Sequence, residues 1–291
     1  MNKKEWKQKL ISYKNAPMSA LTALLVFLSA MVTFLVLLFL IVYILAKGIP
    51  HITPDLFAWE YNSENVSLMP ALFNTIIMTV LSLLIAVPLG IFSAIFLVEY
   101  AKTGNKFVEV IRLTTETLSG IPSIVYGLFG MLFFVSALKW GMSLLAGAFT
   151  LAVMILPLIM RTTEEALKSV PASYREGSFG LGAGKLRTVF CIVLPPAVPG
   201  ILAGVILAVG RIVGETAALM YTAGTVAEVP DNVMSAGRTL AVHMYTLSNE
   251  GFHTDKAYAT AVILLVLVIA INSLAAWTAK KITKGNGNGE N

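Results

Sequence analysis

The stretch Glu176-Gly177-Ser178-Phe179-Gly180-Leu181-Gly182-Ala183-Gly184-Lys185-Leu186-Arg187-Thr188-Val189-Phe190-Cys191-Ile192-Val193-Leu194-Pro195 decides how the rest of this chain is read. Just upstream, Pro171 suits the first turn of a helix, where its missing N–H costs nothing. That helix carries Tyr174, Arg175, Phe179 and Leu181. Gly180, Gly182 and Gly184 then break it, because glycine enters backbone conformations closed to other residues. A second short helix through Leu186, Val189, Phe190 and Val193 ends near Pro195-Pro196. The product is a helix, a bend and a helix, partly apolar, of the kind that docks into a groove of another protein. Two phosphate-binding readings fail on spacing. A P-loop needs Ser or Thr after Lys185, where Leu186 stands, and a glycine where Phe179 stands. A dinucleotide fingerprint needs a preceding strand, which this loop does not offer. No ATP site is legible anywhere in the chain.

On either side of this segment the sequence is too apolar for water. Of 291 residues 57% are hydrophobic and 13% charged, against about a quarter charged in a typical soluble domain. Crossing the hydrocarbon core takes about 20 predominantly apolar residues in a helix, because lipid offers the backbone no hydrogen-bond partner. Six such stretches stand out: Leu21 to Ala46, Leu72 to Val98, Ile121 to Leu138, Met142 to Met160, Val198 to Met220, and Tyr258 to Trp277. Lys139-Trp140-Gly141 reads as a tight turn between the third and fourth. The first stretch has a basic leader but is too long for a signal peptide's apolar region, so it reads as an anchor that stays.

The net charge of +5 is explained by position. Short loops rich in Lys and Arg are retained in the cytoplasm. Sixteen of the 21 basic residues fall in the N-terminus, the second loop, the fourth loop and the tail; Lys47, Lys139, Arg238 and Lys256 fall on the other side. The alternation holds through all six expected crossings and predicts both termini inside. The charge is therefore an address for membrane lipid and not a nucleic-acid footprint. The start, Glu5 to Ile11, reads as a surface-lying amphipathic segment or a plain basic anchor. The tail over 279–291 is polar and Gly-rich and is expected to be disordered. Cys191, the single cysteine, excludes an intrachain disulfide and reads as a small apolar filler. His51, His243 and His253 lack metal-ligand spacing and read as solvated external residues.

The spacing Glu176, Gly182, Ile192, Leu194, Pro195 resembles the EAA loop of ABC-transporter permeases, whose pattern is E-A-A-x3-G-x9-I-x-L-P. Gly177 and Ser178 stand where alanines are usual; both are small, so close packing survives with weaker helix propensity. Gly120-Ile121-Pro122-Ser123-Ile124-Val125-Tyr126-Gly127-Leu128-Phe129-Gly130 and Gly210-Arg211-Ile212-Val213-Gly214-Glu215-Thr216-Ala217-Ala218 resemble the third and fifth spans of phosphate-specific permeases of the PstA type. The resemblance implies an all-α integral membrane protein with the six-helix type I ABC importer (MetI-like) fold. It implies a basic N-terminus over 1–20, an anchor helix over 21–46, a permease core over 72–278 with its coupling loop at 161–197, and the tail. It further implies a second, PstC-type permease, two PstB-type ATPase subunits carrying ATP and Mg, and an external phosphate-binding protein. The chain itself is then no enzyme and holds no cofactor or metal. Glu176, Gly182, Ile192, Leu194 and Pro195 would couple the spans to the ATPase.

Arg211 and Glu215 are the charges placed deepest in an expected span. An Arg near mid-helix costs about 2.5–3.5 kcal/mol on insertion scales and should face a cavity or a partner. At 100° per residue Gly200, Gly204, Arg211, Gly214, Glu215 and Ala218 share one face of a continuous helix. A phosphate pathway needs a cation that stays charged and offers forked donors, which a guanidinium does. Glu215, one turn on, is placed to neutralise Arg211 when the anion is absent; the alternative is an i,i+4 pair that only locks helices together. Arg161, where the fourth span leaves the membrane, either guides phosphate at the inner exit or anchors the span. Rival functions are a permease for another oxyanion such as sulfate or molybdate, an intramembrane enzyme using Glu215 or a His, and a scaffold that senses phosphate through its partners.

Overall fold

The computed structural model describes residues 17–102 and 104–287, and all regular structure among them is helical. In chain order the helices are α1 (Pro17–Gly48), α2 (Met69–Tyr100), α3 (Lys106–Ser119), α4 (Ser123–Ala137) and α5 (Leu144–Lys168). They continue as α6 (Ala172–Gly180), α7 (Lys185–Val213), α8 (Ala217–Thr222), α9 (Leu240–Glu250) and α10 (Thr254–Gly287). Five are long and apolar enough to cross a membrane, and α3 with α4 makes a sixth span bent by 106°. The expected N-terminal surface segment lies outside the described residues. The tail differs from expectation: α10 remains helical through Gly287.

Helix α5 is the hub. Its most apolar window is 67% buried, against 0% for α1. Leu151, Met154, Ile155 and Ile159 of α5 meet Met78 and Ala86 of α2, Tyr126 of α4, Ala208 and Ile212 of α7 and Leu219 of α8 in one core. In lipid, apolar contact between helices is not itself a driving force, so small residues that let backbones approach carry the specificity. A Cβ on Gly127 would lie 2.7 Å from the Ala218 Cα, and one on Gly130 would collide with Thr150 and Thr222. The third-span signature is thus the seat on which α4 receives α8. Gly204 likewise abuts Thr162 of α5.

Two departures from expectation concern the third and fifth spans. The stretch expected as a loop before the third is helical, and this α3 makes an elbow with α4, which fills the expected third span. Pro122 has no N–H and biases Ile121 away from helical backbone, so α3 ends at Ser119 and α4 restarts at Ser123. The Tyr126 hydroxyl closes the elbow by donating to the Leu118 carbonyl at 2.7 Å. The fifth is broken at Gly214-Glu215-Thr216, between α7 and the short α8. Helix α1 touches the remainder near its end, where Gly48 packs on Tyr258 and Val262 and the Tyr43 and Tyr258 rings meet edge to face at 6.0 Å. Phe27, Phe34 and Phe39 of α1 are exposed, as suits an anchor lying in lipid.

Candidate functional site

The break in the fifth span moves the two deep charges out of the arrangement expected of them. Arg211 is half-buried in the last turn of α7, where a cation complements the helix dipole. Glu215 lies beyond that helix, 8% exposed, and its Oε1 accepts from the Ala218 backbone N–H at 3.0 Å, capping the first turn of α8. Among the described residues Arg211 makes no ion pair, with Glu215 or any other carboxylate. The expected i,i+4 pair on a continuous helix is therefore not present, because Gly214 ends α7 before Glu215 reaches helical register. The expected shared stripe is also divided. Gly200 and Gly204 pack against Ala166 and Thr162 of α5, whereas Gly214 ends α7 and Glu215 and Ala218 lie at the start of α8; beside Arg211, a Cβ on Gly210 would meet nothing within 4 Å. The outcome is a guanidinium without a carboxylate, beside a helix break with open flanks.

Arg161 is differently placed. It pairs with Glu165 at 3.1 Å, next to Arg112–Glu164 at 2.8 Å and Lys168–Glu164 at 2.6 Å. These residues and Glu116 line a cavity of about 230 Å³ in which acidic groups offset the basic ones. Arg161 is thus ion-paired and no free cation.

The segment 171–195 folds as a helix, a bend and a helix. Pro171 precedes α6, Gly182 takes φ +80°, and Gly184 precedes α7 in extended conformation. Glu176 and Gly182 are exposed, Leu181 is 92% exposed, and Leu194 and Pro195 are half-buried where α7 enters the bundle. Ser173, Tyr174, Leu181, Arg187 and Ile192 line a groove of about 530 Å³, which Cys191 also lines, exposed and no interior filler. Ser178 and Thr188 hydroxyls meet at 2.8 Å and close the bend. A left-handed residue with a side chain costs about 1–2 kcal/mol. Gly182→Ala is expected to raise tryptic cleavage after Lys185 and Arg187 in the assembled complex about fivefold by favouring local opening. Gly180→Ala, in helix with open space around it, is expected to leave that rate unchanged.

At the opposite end the loop between α8 and α9 is more buried than its polar sequence suggests. Asn74 of α2 donates to the Glu228 and Arg238 carbonyls at 2.9 and 3.2 Å, and Thr75 accepts from the Leu240 N–H at 2.8 Å. Arg238 is 4% exposed with its guanidinium 4.8 Å from the Tyr61 ring centre, a cation–π contact that replaces the missing carboxylate. His243 was expected in solvent and is fully buried. Burial and then the nearby Arg238 charge push its pKa down to about 3, which keeps the ring neutral. Sequence carried no signal for this cluster, since its members lie far apart along the chain.

The family described as "Binding-protein-dependent transport system inner membrane component" matches residues 86–284. The Bacillus subtilis "Probable ABC transporter permease protein YqgI" is 37% identical over 229 residues, covering 73% of this chain and 78% of that protein. The Mycobacterium leprae "Phosphate transport system permease protein PstA" is 32% identical over 262 residues, covering 86% of this chain and 84% of that one. A chain of a bacterial alginate ABC transporter superposes with TM-score 0.69 at 18% identity, over 94% of this chain and 98% of that one. A chain of the inward-facing MetNI methionine ABC transporter gives 0.59 at 20% identity, over 74% and 94%. At these identities the two structures establish the importer-permease fold alone. Permeases of this kind work with an ATPase and a substrate-binding protein. The chain belongs to the binding-protein-dependent transport system inner membrane components, multi-pass ABC importer permeases that are not themselves enzymes.

Proposed function

We propose that this chain is the PstA-type permease subunit of an ATP-driven phosphate importer, with the basic end of its bundle and both termini in the cytoplasm. The single observation that carries the pathway is Arg211: a half-buried guanidinium without a carboxylate partner among the described residues, at the break in the fifth span, with open space over Gly210. A cation kept unpaired near a broken membrane helix is the arrangement that receives an anion. One permease lines half a pathway, so a PstC-type chain supplies the other half. Glu176, Gly182, Ile192, Leu194 and Pro195 belong to the loop that docks on the PstB-type ATPases, and an external phosphate-binding protein delivers the anion. Relatives named as phosphate permeases support the choice of substrate.

Sulfate or molybdate permeases of the same build are the competing reading. Competition uptake by the assembled complex with its binding protein separates them. Excess sulfate and molybdate are expected to leave labelled phosphate uptake unchanged while unlabelled phosphate abolishes it. Displacement by sulfate, or no phosphate uptake at all, would overturn the assignment.

A further inference from the structure

Helix α6 has an unusual attachment. None of its side chains belongs to any of the apolar clusters that hold the spans together. One of these clusters is built from Ile95 of α2, Ala166 and Leu167 of α5, Val170, and Val189, Val193, Ala197 and Ile201 of α7. The apolar groups of α6 and the bend point away: Tyr174 and Phe179 are about half exposed and Leu181 is almost wholly so. What fastens α6 to the bundle is polar, and most of it passes through Arg175.

The Arg175 guanidinium joins three elements. Nε and Nη2 donate to Glu99 Oε1 at 3.1 and 2.7 Å. Nη2 also donates to the Leu167 carbonyl at 2.9 Å, and Nη1 to the Val170 carbonyl at 2.8 Å. The Leu167 carbonyl is in the last turn of α5, where helix geometry leaves C=O groups unmet. Glu99 sits in the π-helical turn Phe96–Tyr100 that ends α2. Its side chain is 7% exposed, that of Arg175 19%. A planar fork with four of its five N–H groups engaged cannot rotate without breaking every contact, so it behaves as a rigid bracket. Such charge-assisted, forked bonds are the strong class of hydrogen bond. A lysine would offer one point charge and no fixed plane.

We propose that Arg175, held by Glu99, is a positioning residue that passes displacement of α6 into α2 and α5, so that ATPase motion reaches the spans. The inference rests on reading residues 176–195 as the ATPase-docking loop. Glu99→Gln keeps the shape of the bracket but removes its charge, and Arg175→Lys keeps the charge but removes the fork. In the reconstituted complex with its ATPase and binding protein, both variants are expected to hydrolyse ATP while phosphate moved per ATP falls at least about tenfold. A purely structural bracket would lower the amount of assembled complex and leave that ratio unchanged. An unchanged ratio in either assembled variant, or failure of both to assemble, would overturn the proposal. Leu181→Asp, at the exposed tip, tests the docking reading separately. It is expected to strip the ATPase from the purified permease, and normal retention would remove that reading whatever Arg175 does.

Discussion

Arg211→Ala is expected to reduce the initial rate of phosphate uptake about 100-fold in membranes that contain normal amounts of the assembled complex. A hydrogen bond to a charged group contributes about 1.5–3 kcal/mol. Losing a forked pair from the anion's path corresponds to roughly two decades in rate or occupancy. Arg211→Lys keeps a point charge without the fork and is expected to fall between alanine and the parent. Glu215→Gln sharpens the test. Because Glu215 caps Ala218 and does not neutralise Arg211, an amide oxygen in its place still accepts the same N–H. Uptake by Glu215→Gln is therefore expected within about threefold of the parent, the discrimination left when a capping acceptor is merely weakened. Uptake at the parental rate in Arg211→Ala would sink the pathway. A collapse in Glu215→Gln as deep as in Arg211→Ala would restore the ion-exchange role that the sequence spacing suggested.

That reversal shows where sequence reading stops. Four spans were legible because hydrocarbon demands a continuous apolar helix, and α1, α2, α5 and α10 supply one each. The third was legible only as α4, because the charged α3 before it reads as a loop, and the fifth was legible as one apolar stretch but not as two helices. Hydropathy averages over many residues and does not register a three-residue break such as Gly214-Glu215-Thr216. Once α7 stops at Val213, the 100° rule that placed Arg211 and Glu215 on one face no longer applies. The bend of the segment 171–195 was legible because Pro171 and Gly182 act locally on the backbone. The bracket was not. Glu99 and Arg175 are 76 residues apart, and in sequence Arg175 is one positive loop charge among several. The burial of His243 has the same origin: the polar segment leading into α9 is tied through its backbone to Asn74 and Thr75 of α2, contacts more than 150 residues apart in sequence.

The packing of α4 on α8 gives the largest structural prediction. A methyl group on Gly127 would stand 2.7 Å from the Ala218 Cα and 3.2 Å from the Ala218 carbonyl oxygen. Both neighbours are backbone, so no side chain can rotate aside. Either α8 moves by about an ångström or α4 lifts, and overpacking of this kind costs about 1–3 kcal/mol. Movement of α8 has a second consequence, because the Glu215 cap is anchored on the Ala218 N–H. The clash is thereby carried to the break that positions Arg211. Gly127→Ala is expected to lower the thermal midpoint of the purified complex by several degrees, taking roughly 2–4 °C per kcal/mol for a protein of this size. Phosphate uptake per complex should fall with it. Gly120→Ala is the matched control, since a Cβ there would make only an ordinary contact, 3.5 Å from the Thr117 carbonyl oxygen, and the backbone at that position is right-handed helical. It is expected to leave the midpoint unchanged or raise it slightly. If Gly127→Ala keeps the parental midpoint and uptake, then the close approach of α4 and α8 is not what holds the broken fifth span in place.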